Sequence, residues 1–281
     1  MTTKNMHLLD GKKLSQKILS TIKADVANIQ KQIRLGIVVV GEDPAIRSFI
    51  NQKKKAAELV GIDVRIYPFD ESITTNELRK RLKELVHEVH NDGIVIQLPL
   101  PKHMNTQYIL NSIVPEKDVD VLSARAIGNF AIGRSPILPP VVGAVKALLG
   151  EYSIDYRDKH IVVLGAGMLV GKPLAMWLLS EKATFSVVER DTKNPEIFLR
   201  DADIIISGLG KSKFLTADLI KDGAVIIDAG TSESEGELSG DVDAESVAKK
   251  ASYLTPVPGG VGPMTVAVLL ENLVWLVKLR N

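Results

Sequence analysis

An apolar pentapeptide that runs straight into glycines constrains this chain more than any other feature. His160-Ile-Val-Val-Leu164 is followed without a spacer by Gly165-Ala166-Gly167-Met168-Leu169-Val170-Gly171, and Lys172-Pro173 then continues a helix expected to reach about Glu181. A strand, a glycine turn and a helix in that order bring backbone close to a ligand and aim the helix's unsatisfied amides at it, which suits a pyrophosphate. The spacing G-x-G-x-x-x-G is one residue longer than the commonest dinucleotide form, and such a loop alone is weak support. A second feature strengthens it. The next strand, Thr184 to Glu189, ends in an acid 24 residues after Gly165, where a carboxylate commonly accepts hydrogen bonds from an adenosine ribose. Arg190 pulls the other way, because a guanidinium grips the 2′-phosphate that a carboxylate repels. These residues imply a nicotinamide dinucleotide and leave NAD and NADP both open. A glycine-rich turn with a surface glutamate is the plain structural alternative.

The rest of the chain fits the same class. Gly11 to Gln32 places Leu14, Ile18, Ile22, Val26 and Ile29 at helical spacing, ahead of the buried-strand run Leu35 to Val40. Asp43-Pro44 opens a helix to about Leu59, and Asp63 to Tyr67 reads as a strand. Thr75 to His90 follows as a helix capped by Thr75 or Asn76, then Gly93 to Gln97 as a strand halted by Pro99 and Pro101. That succession predicts a parallel sheet with helices on its faces. Residues 101–140 are looser. A helix from about Val141 to Tyr152 leads into a second run with four strands, His160–Leu164, Thr184–Glu189, Asp203–Ser207 and Ala224–Asp228. We therefore expect an α/β protein of two domains. Residues 1–139 form the first and residues 140–263 a Rossmann-type second, with a closing helix over 264–281 packing back on the first.

Composition narrows the partners. Lys and Arg number 35 against 34 Asp and Glu, a net charge of +1, which argues against a nucleic-acid or acidic-membrane partner. The absence of cysteine removes disulfides, thiolate metal sites and a cysteine nucleophile, and fits a reducing compartment. Lys4, Asp10, Lys12 and Lys13 interrupt any apolar leader. Met264 to Leu279, broken by Glu271 and Asn272, is expected to be too short to span a membrane and to be a buried helix. The five histidines offer no ligand set, so no metal is assigned. A soluble, cytoplasmic protein is expected.

Four further stretches carry candidate chemistry. Phe49 and Lys53 lie four apart on one helix and share a face, where a ring could hold a flat heterocycle and an ammonium deliver a proton. A solvated basic face made by Lys53, Lys54 and Lys55 is the competing reading. Gln97 sits at the carboxyl end of a parallel strand, where ligands of open α/β sheets bind. In Lys117-Asp-Val-Asp120 an extended backbone would point both carboxylates the same way, while a turn with capping aspartates is the alternative. Thr255-Pro-Val-Pro-Gly-Gly-Val-Gly-Pro263 is too rich in Pro and Gly for a regular element, and serves either as ligand contact or as hinge.

Taken together, these segments resemble the FolD family of bifunctional methylenetetrahydrofolate dehydrogenase/methenyltetrahydrofolate cyclohydrolases, over essentially the full length. Val40-Gly-Glu-Asp-Pro-Ala45 with Lys53-Lys-Lys-Ala-Ala57 is similar to the family's first motif. Gly93-Ile-Val-Ile-Gln-Leu-Pro-Leu-Pro101 resembles the second, Pro115-Glu-Lys-Asp-Val-Asp120 the third, and Tyr253 to Thr265 the last almost letter for letter. The resemblance implies hydride transfer from 5,10-methylenetetrahydrofolate to a nicotinamide, then addition of water to the methenyl product to give 10-formyltetrahydrofolate. It implies that Lys53 is the proton-transfer group, that Gln97 positions it and that Asp120 binds the pterin. It extends the substrate contacts to Phe49, Leu98, Pro99, Pro258, Gly259, Gly260 and Pro263. Cofactor contacts would come from Gly165, Ala166, Gly167, Val170, Gly171, Lys172, Pro173, Glu189, Arg190, Gly208 and Thr231, with NADP as the expected cofactor, NAD as the alternative, and a homodimer as the assembly.

The chain departs from the family at several points. Phe49 stands where tyrosine is usual, Val121-Leu-Ser-Ala124 replaces Gly-Phe-His-Pro, Pro139-Pro-Val-Val142 replaces Pro-Cys-Thr-Pro, and Thr231-Ser232 replaces Ile-Asn. Ala166 and Gly167 occupy positions where the family carries a cationic and a hydroxyl side chain. A dehydrogenase with little cyclohydrolase activity and an inactive folate- or nucleotide-binding protein are the alternatives these changes leave open.

Overall fold

A computed structural model describes residues 6–230, 232–234 and 237–280. Its strands are β1 (His7–Leu8), β2 (Arg34–Val40), β3 (Asp63–Phe69), β4 (Gly93–Ile96), β5 (His160–Leu164), β6 (Thr184–Val188), β7 (Ile204–Ser207), β8 (Val225–Asp228), β9 (Ser232–Ser234), β10 (Glu237–Ser239) and β11 (Tyr253–Leu254). The helices are α1 (Gly11–Ala27), α2 (Pro44–Leu59), α3 (Thr75–His87), α4 (Thr106–Leu110), α5 (Ala124–Ala131), α6 (Pro140–Glu151), α7 (Gly171–Ser180), α8 (Glu196–Leu199), α9 (Ala244–Val247) and α10 (Val261–Arg280). Two compact units result. The described part of Met1–Ser15 joins Val141–Thr265 in one, and Gln16–Pro140 joins Val266–Asn281 in the other.

The second of these units is built on a three-stranded sheet in the order β3-β2-β4, all parallel. Its central strand is apolar on both faces because helices cover a parallel sheet on both sides; Leu35, Ile37 and Val38 are fully buried. In α3 the helical period buries Leu78, Leu82 and Val86. The cap is Thr74, earlier than the expected Thr75 or Asn76, because Glu77 completes a reciprocal pair with it: Thr74 Oγ1 accepts the Glu77 amide at 3.3 Å and Glu77 Oε2 accepts the Thr74 amide at 3.1 Å. The later part of α10 closes this unit. Asn272 Nδ2 donates to the carbonyls of Val119 (2.9 Å) and Leu138 (2.8 Å), and Arg280 donates to the carbonyl of Asp92 at 2.7 Å. Contrary to expectation, α10 is long and apolar enough to cross a membrane on length and composition alone. What marks it as a core helix is burial, since Ala267, Leu270, Leu273 and Val277 have no accessible surface.

The other unit carries a parallel six-stranded sheet in the order β1-β11-β8-β7-β5-β6. Four of its strands match the expected ones, while β1 and β11 are two residues each, too short to show a period. They form because the Leu9 amide donates to the Leu254 carbonyl and the His7 amide to the Ser252 carbonyl, both at 2.9 Å. The segment 6–15, expected with the first domain, therefore belongs with this sheet. Pairing of β5 with β6 on one side and β7 on the other makes a switch point, and at such a point the carboxyl ends of the strands open a crevice.

Candidate active site

At the carboxyl edge of the three-stranded sheet, α2 and the end of β4 bring together the residues singled out there. Of the three consecutive lysines, Lys54 and Lys55 are exposed and Lys53 is partly buried. The helix turns Lys54 outward, where it approaches Glu58 at 3.8 Å, and turns Lys53 toward β4. Lys53 Nζ donates to Gln97 Oε1 at 2.8 Å. Gln97 is held in one orientation: its Nε2 donates to the Leu98 carbonyl at 2.9 Å and its backbone amide to the Val38 carbonyl at 2.9 Å. Only the amide oxygen is left to face the lysine. Burial lowers the Lys53 pKa, and the charge of Asp120 opposes that fall. Burial pushes Asp120 up to about 6, with Lys53 pulling it down and Asp118 adding to the rise. Removing the ammonium and the carboxylate from water weakens both charges, so each becomes able to exchange a proton nearer neutrality.

The two aspartates do not share a role, contrary to the extended-backbone reading. Asp118 is buried and caps the turn that follows, accepting the amides of Leu122 at 3.1 Å and Ser123 at 2.8 Å. Asp120, two residues on, is the one whose charge acts on Lys53. Phe49 lies one turn before Lys53 on α2 and is partly buried, while Leu98 is partly buried and Pro99 exposed beside Gln97.

In the six-stranded unit the glycine loop runs from the end of β5 to the start of α7. Gly165 has φ +88°, and a Cβ there would lie 2.6 Å from the Gly208 carbonyl oxygen; at Gly171 it would lie 1.8 Å from the Gly165 carbonyl oxygen. Neither position has room for a side chain, so the loop stacks backbone on backbone. Glu189 Oε1 accepts the amide of Ala166, and Arg190 donates to the Leu209 carbonyl at 3.2 Å. The structure thus joins the three features that the sequence pointed to here: glycines packed without side chains, a helix N-terminus and an acid just beyond the next strand's tip.

Comparison with known proteins agrees over the whole length. The family model for the tetrahydrofolate dehydrogenase/cyclohydrolase catalytic domain matches residues 9–120, and the one for the NAD(P)-binding domain of that family matches residues 139–281. The chain belongs to the tetrahydrofolate dehydrogenase/cyclohydrolase family. The bifunctional protein FolD of Nautilia profundicola is 43% identical over 277 residues, covering 97% of this chain and 98% of that protein. Among solved structures, the bifunctional FolD of Campylobacter jejuni superposes with a TM-score of 0.94 at 41% identity, covering 98% and 100% of the two chains. The Trypanosoma brucei methylenetetrahydrofolate dehydrogenase-cyclohydrolase, solved with NADP and an inhibitor, gives 0.93 at 32% identity, covering 98% of each chain.

As a tetrahydrofolate dehydrogenase/cyclohydrolase the chain is an enzyme with a folate substrate and an NAD(P) cofactor. The structure brings Lys53, Gln97 and Asp120 together in one unit, and groups Gly165, Ala166, Gly171, Gly208, Glu189 and Arg190 in the other. Pro258, Gly259 and Gly260 belong to that second group's unit, where the Gly259 carbonyl accepts the Lys12 amide at 2.8 Å. Pro263 lies in the first turn of α10, which begins three residues before the expected Met264, because proline's missing amide costs nothing there. Thr231 lies outside the described residues. Reading the sequence missed a buried pair, Asp228 and Asp241. Asp241 accepts the hydroxyl of Ser207 (2.7 Å) and the amides of Leu209 (2.7 Å), Gly210 (3.2 Å) and Lys211 (2.8 Å), so it fixes the loop that follows β7. Asp228 accepts the amides of Gly230 and Val242, each at 3.0 Å, and burial with the nearby charge of Asp241 pushes it up to about 6. An aspartate after a glycine, far from the loop it holds, carries no local signal.

Proposed function

We propose that Lys53, Gln97 and Asp120 perform the proton chemistry by which this enzyme oxidises 5,10-methylenetetrahydrofolate and hydrolyses the methenyl product to 10-formyltetrahydrofolate. The reading rests on one observation, the 2.8 Å hydrogen bond that points a partly buried lysine at a side-chain oxygen with no other role. Lys53 in its neutral form takes a proton from the water that adds to the one-carbon bridge, and returns it as an ammonium in the reverse direction. Gln97 fixes the position of Nζ. Asp120, ionised, accepts N–H groups of the pterin and favours return of the proton to Lys53. Phe49 supplies a flat apolar surface for the heterocycle, with Leu98 and Pro99 as further folate contacts in the same unit. The loop Gly165–Pro173 with Glu189, Arg190 and Gly208 holds the dinucleotide, which when bound accepts the hydride.

Replacement of Lys53 by Met tests this. Cyclohydrolase turnover should fall by about 10²–10⁴-fold with an unchanged circular dichroism spectrum and unchanged dinucleotide affinity. Water addition at the wild-type rate would remove Lys53 from its role. Accumulation of methenyl product by the unmodified chain would instead favour a dehydrogenase alone.

The proposal extends to a cytoplasmic homodimer. Support comes from β6, an edge strand of the six-stranded sheet with Val187 exposed, and from Leu179, Ile197 and Phe198, also exposed in that unit. An uncovered edge pairs readily with a second copy. A monomeric mass by light scattering at micromolar concentration would refute the assembly.

A further inference from the structure

Two groups of opposite charge stand just beyond the tip of β6, and the structure treats them differently. Glu189 is exposed, and both its carboxylate oxygens are tied to the backbone of the cofactor loop's surroundings. Oε1 accepts the Ala166 amide and Oε2 the Arg190 amide at 3.1 Å, while the Glu189 amide donates to Thr192 Oγ1 at 2.9 Å. The carboxylate is therefore parked against the second residue of the glycine loop. Arg190 is turned elsewhere. Its guanidinium donates to the Leu209 carbonyl at 3.2 Å, and that residue is itself immobilised, because buried Asp241 takes the amides of Leu209, Gly210 and Lys211. Swinging Arg190 toward a ligand would break a bond to a fixed partner. Ala166 and Gly167 add neither charge nor hydroxyl, although a Cβ at Gly167 would meet nothing within 4 Å, and the loop's cation, Lys172, stands beyond them in the first turn of α7.

We infer that Glu189 sets the choice of dinucleotide and makes this chain select NAD over NADP, an inference that rests on the dehydrogenase reading above. An adenosine 2′-hydroxyl can donate to the parked carboxylate, whereas a 2′-phosphate brings about two negative charges against it. Arg190, the cation next to Glu189 in sequence, has one N–H committed to the Leu209 carbonyl and must give it up to turn toward that phosphate. The cost falls on binding of NADP and leaves the chemical step alone.

The test compares NAD and NADP in two ways, by initial rates with methylenetetrahydrofolate and by calorimetric titration of the full chain. The expected kcat/KM ratio favours NAD by roughly tenfold or more, a modest share of what juxtaposed like charges cost, and lies in KM rather than kcat. Glu189→Gln keeps the shape and removes the charge; it should narrow the ratio at least threefold. Glu189→Asp keeps the charge and should retain the NAD preference. Rising potassium chloride should erode the wild-type ratio more than that of Glu189→Gln, because an exposed repulsion is screened. Equal or better use of NADP by the wild type, or a ratio that Glu189→Gln does not move, overturns the inference. Reduction of neither dinucleotide would sink the dehydrogenase reading, and the calorimetric ratio would then still decide the role of Glu189, with no binding of either counting against it.

Discussion

The two units reach their ligands by opposite means. In the three-stranded unit the proposed working groups are side chains, Lys53, Gln97 and Asp120, and the proton affinities of the lysine and the aspartate are set by burial and by each other. In the six-stranded unit the proposed binding surface is largely backbone, held in place by charged side chains: Asp241 fixes the loop after β7, and Glu189, itself exposed, ties the loop after β5 to the tip of β6. The first arrangement suits proton transfer, which needs groups that change charge. The second suits an anion that must be held without chemistry, for which fixed amides cost no reorganisation. Carboxylates thus take different parts in the two units, Asp120 as a proposed partner in proton transfer and Asp241 as a scaffold for a loop.

That contrast can be broken experimentally, and the scaffold should break hardest. Asp241→Ala leaves a hydroxyl and three amides without their acceptor, so a loss of about 4 kcal/mol or more of unfolding free energy is expected, with dinucleotide affinity falling alongside. Urea titration monitored by tryptophan fluorescence measures it, and a loss below about 1 kcal/mol would show that the loop holds itself. The pair also predicts a pH signature. The folded-state pKa of Asp228 is raised from the ordinary value of 3.8 to about 6. Its contribution to stability is therefore complete below about pH 4 and lost as pH rises through 6, a swing of at most ~3 kcal/mol. Relative to Asp228→Asn, the wild type should lose that much between pH 4 and 7; a difference independent of pH would put the proton elsewhere.

The catalytic side should respond in rate instead of stability. Gln97→Leu removes the oxygen that fixes Lys53 Nζ, and cyclohydrolase kcat should drop by about 10²-fold, the usual consequence of a misplaced catalytic group. Dinucleotide Kd, measured by calorimetry, should stay within twofold; a parallel loss of affinity would mean the two units do not divide the work as described. The smallest effect is that of Asp120. With a pKa of about 6, its carboxylate is lost progressively as the solution is acidified below that value, so folate-dependent turnover should fall up to tenfold per pH unit there. In Asp120→Asn the step centred near 6 should vanish, leaving a lower profile with only the acid limb of Lys53.

Much of this molecule can be read from local pattern. The apolar runs at β2, β4 and β5, the period of α3 and the glycine turn before α7 identify a two-domain α/β chain, because burial on one face or both imposes a spacing on neighbouring residues. Pattern also narrowed the chemistry to Lys53, Gln97 and the aspartates near 120. It stopped where the deciding partner is distant along the chain. Which of three adjacent lysines faces β4, which of two aspartates caps a turn, and where Arg190 places its charge all depend on partners up to 67 residues away, as between Lys53 and Asp120. The strands β1 and β11 escaped notice for the same reason, since two residues have no period and gain their place only from each other and from β8. Sequence alone determined which surfaces must be buried; only tertiary structure decided which charges meet, because charge pairing is a property of closed distances rather than of spacing along a strand or helix.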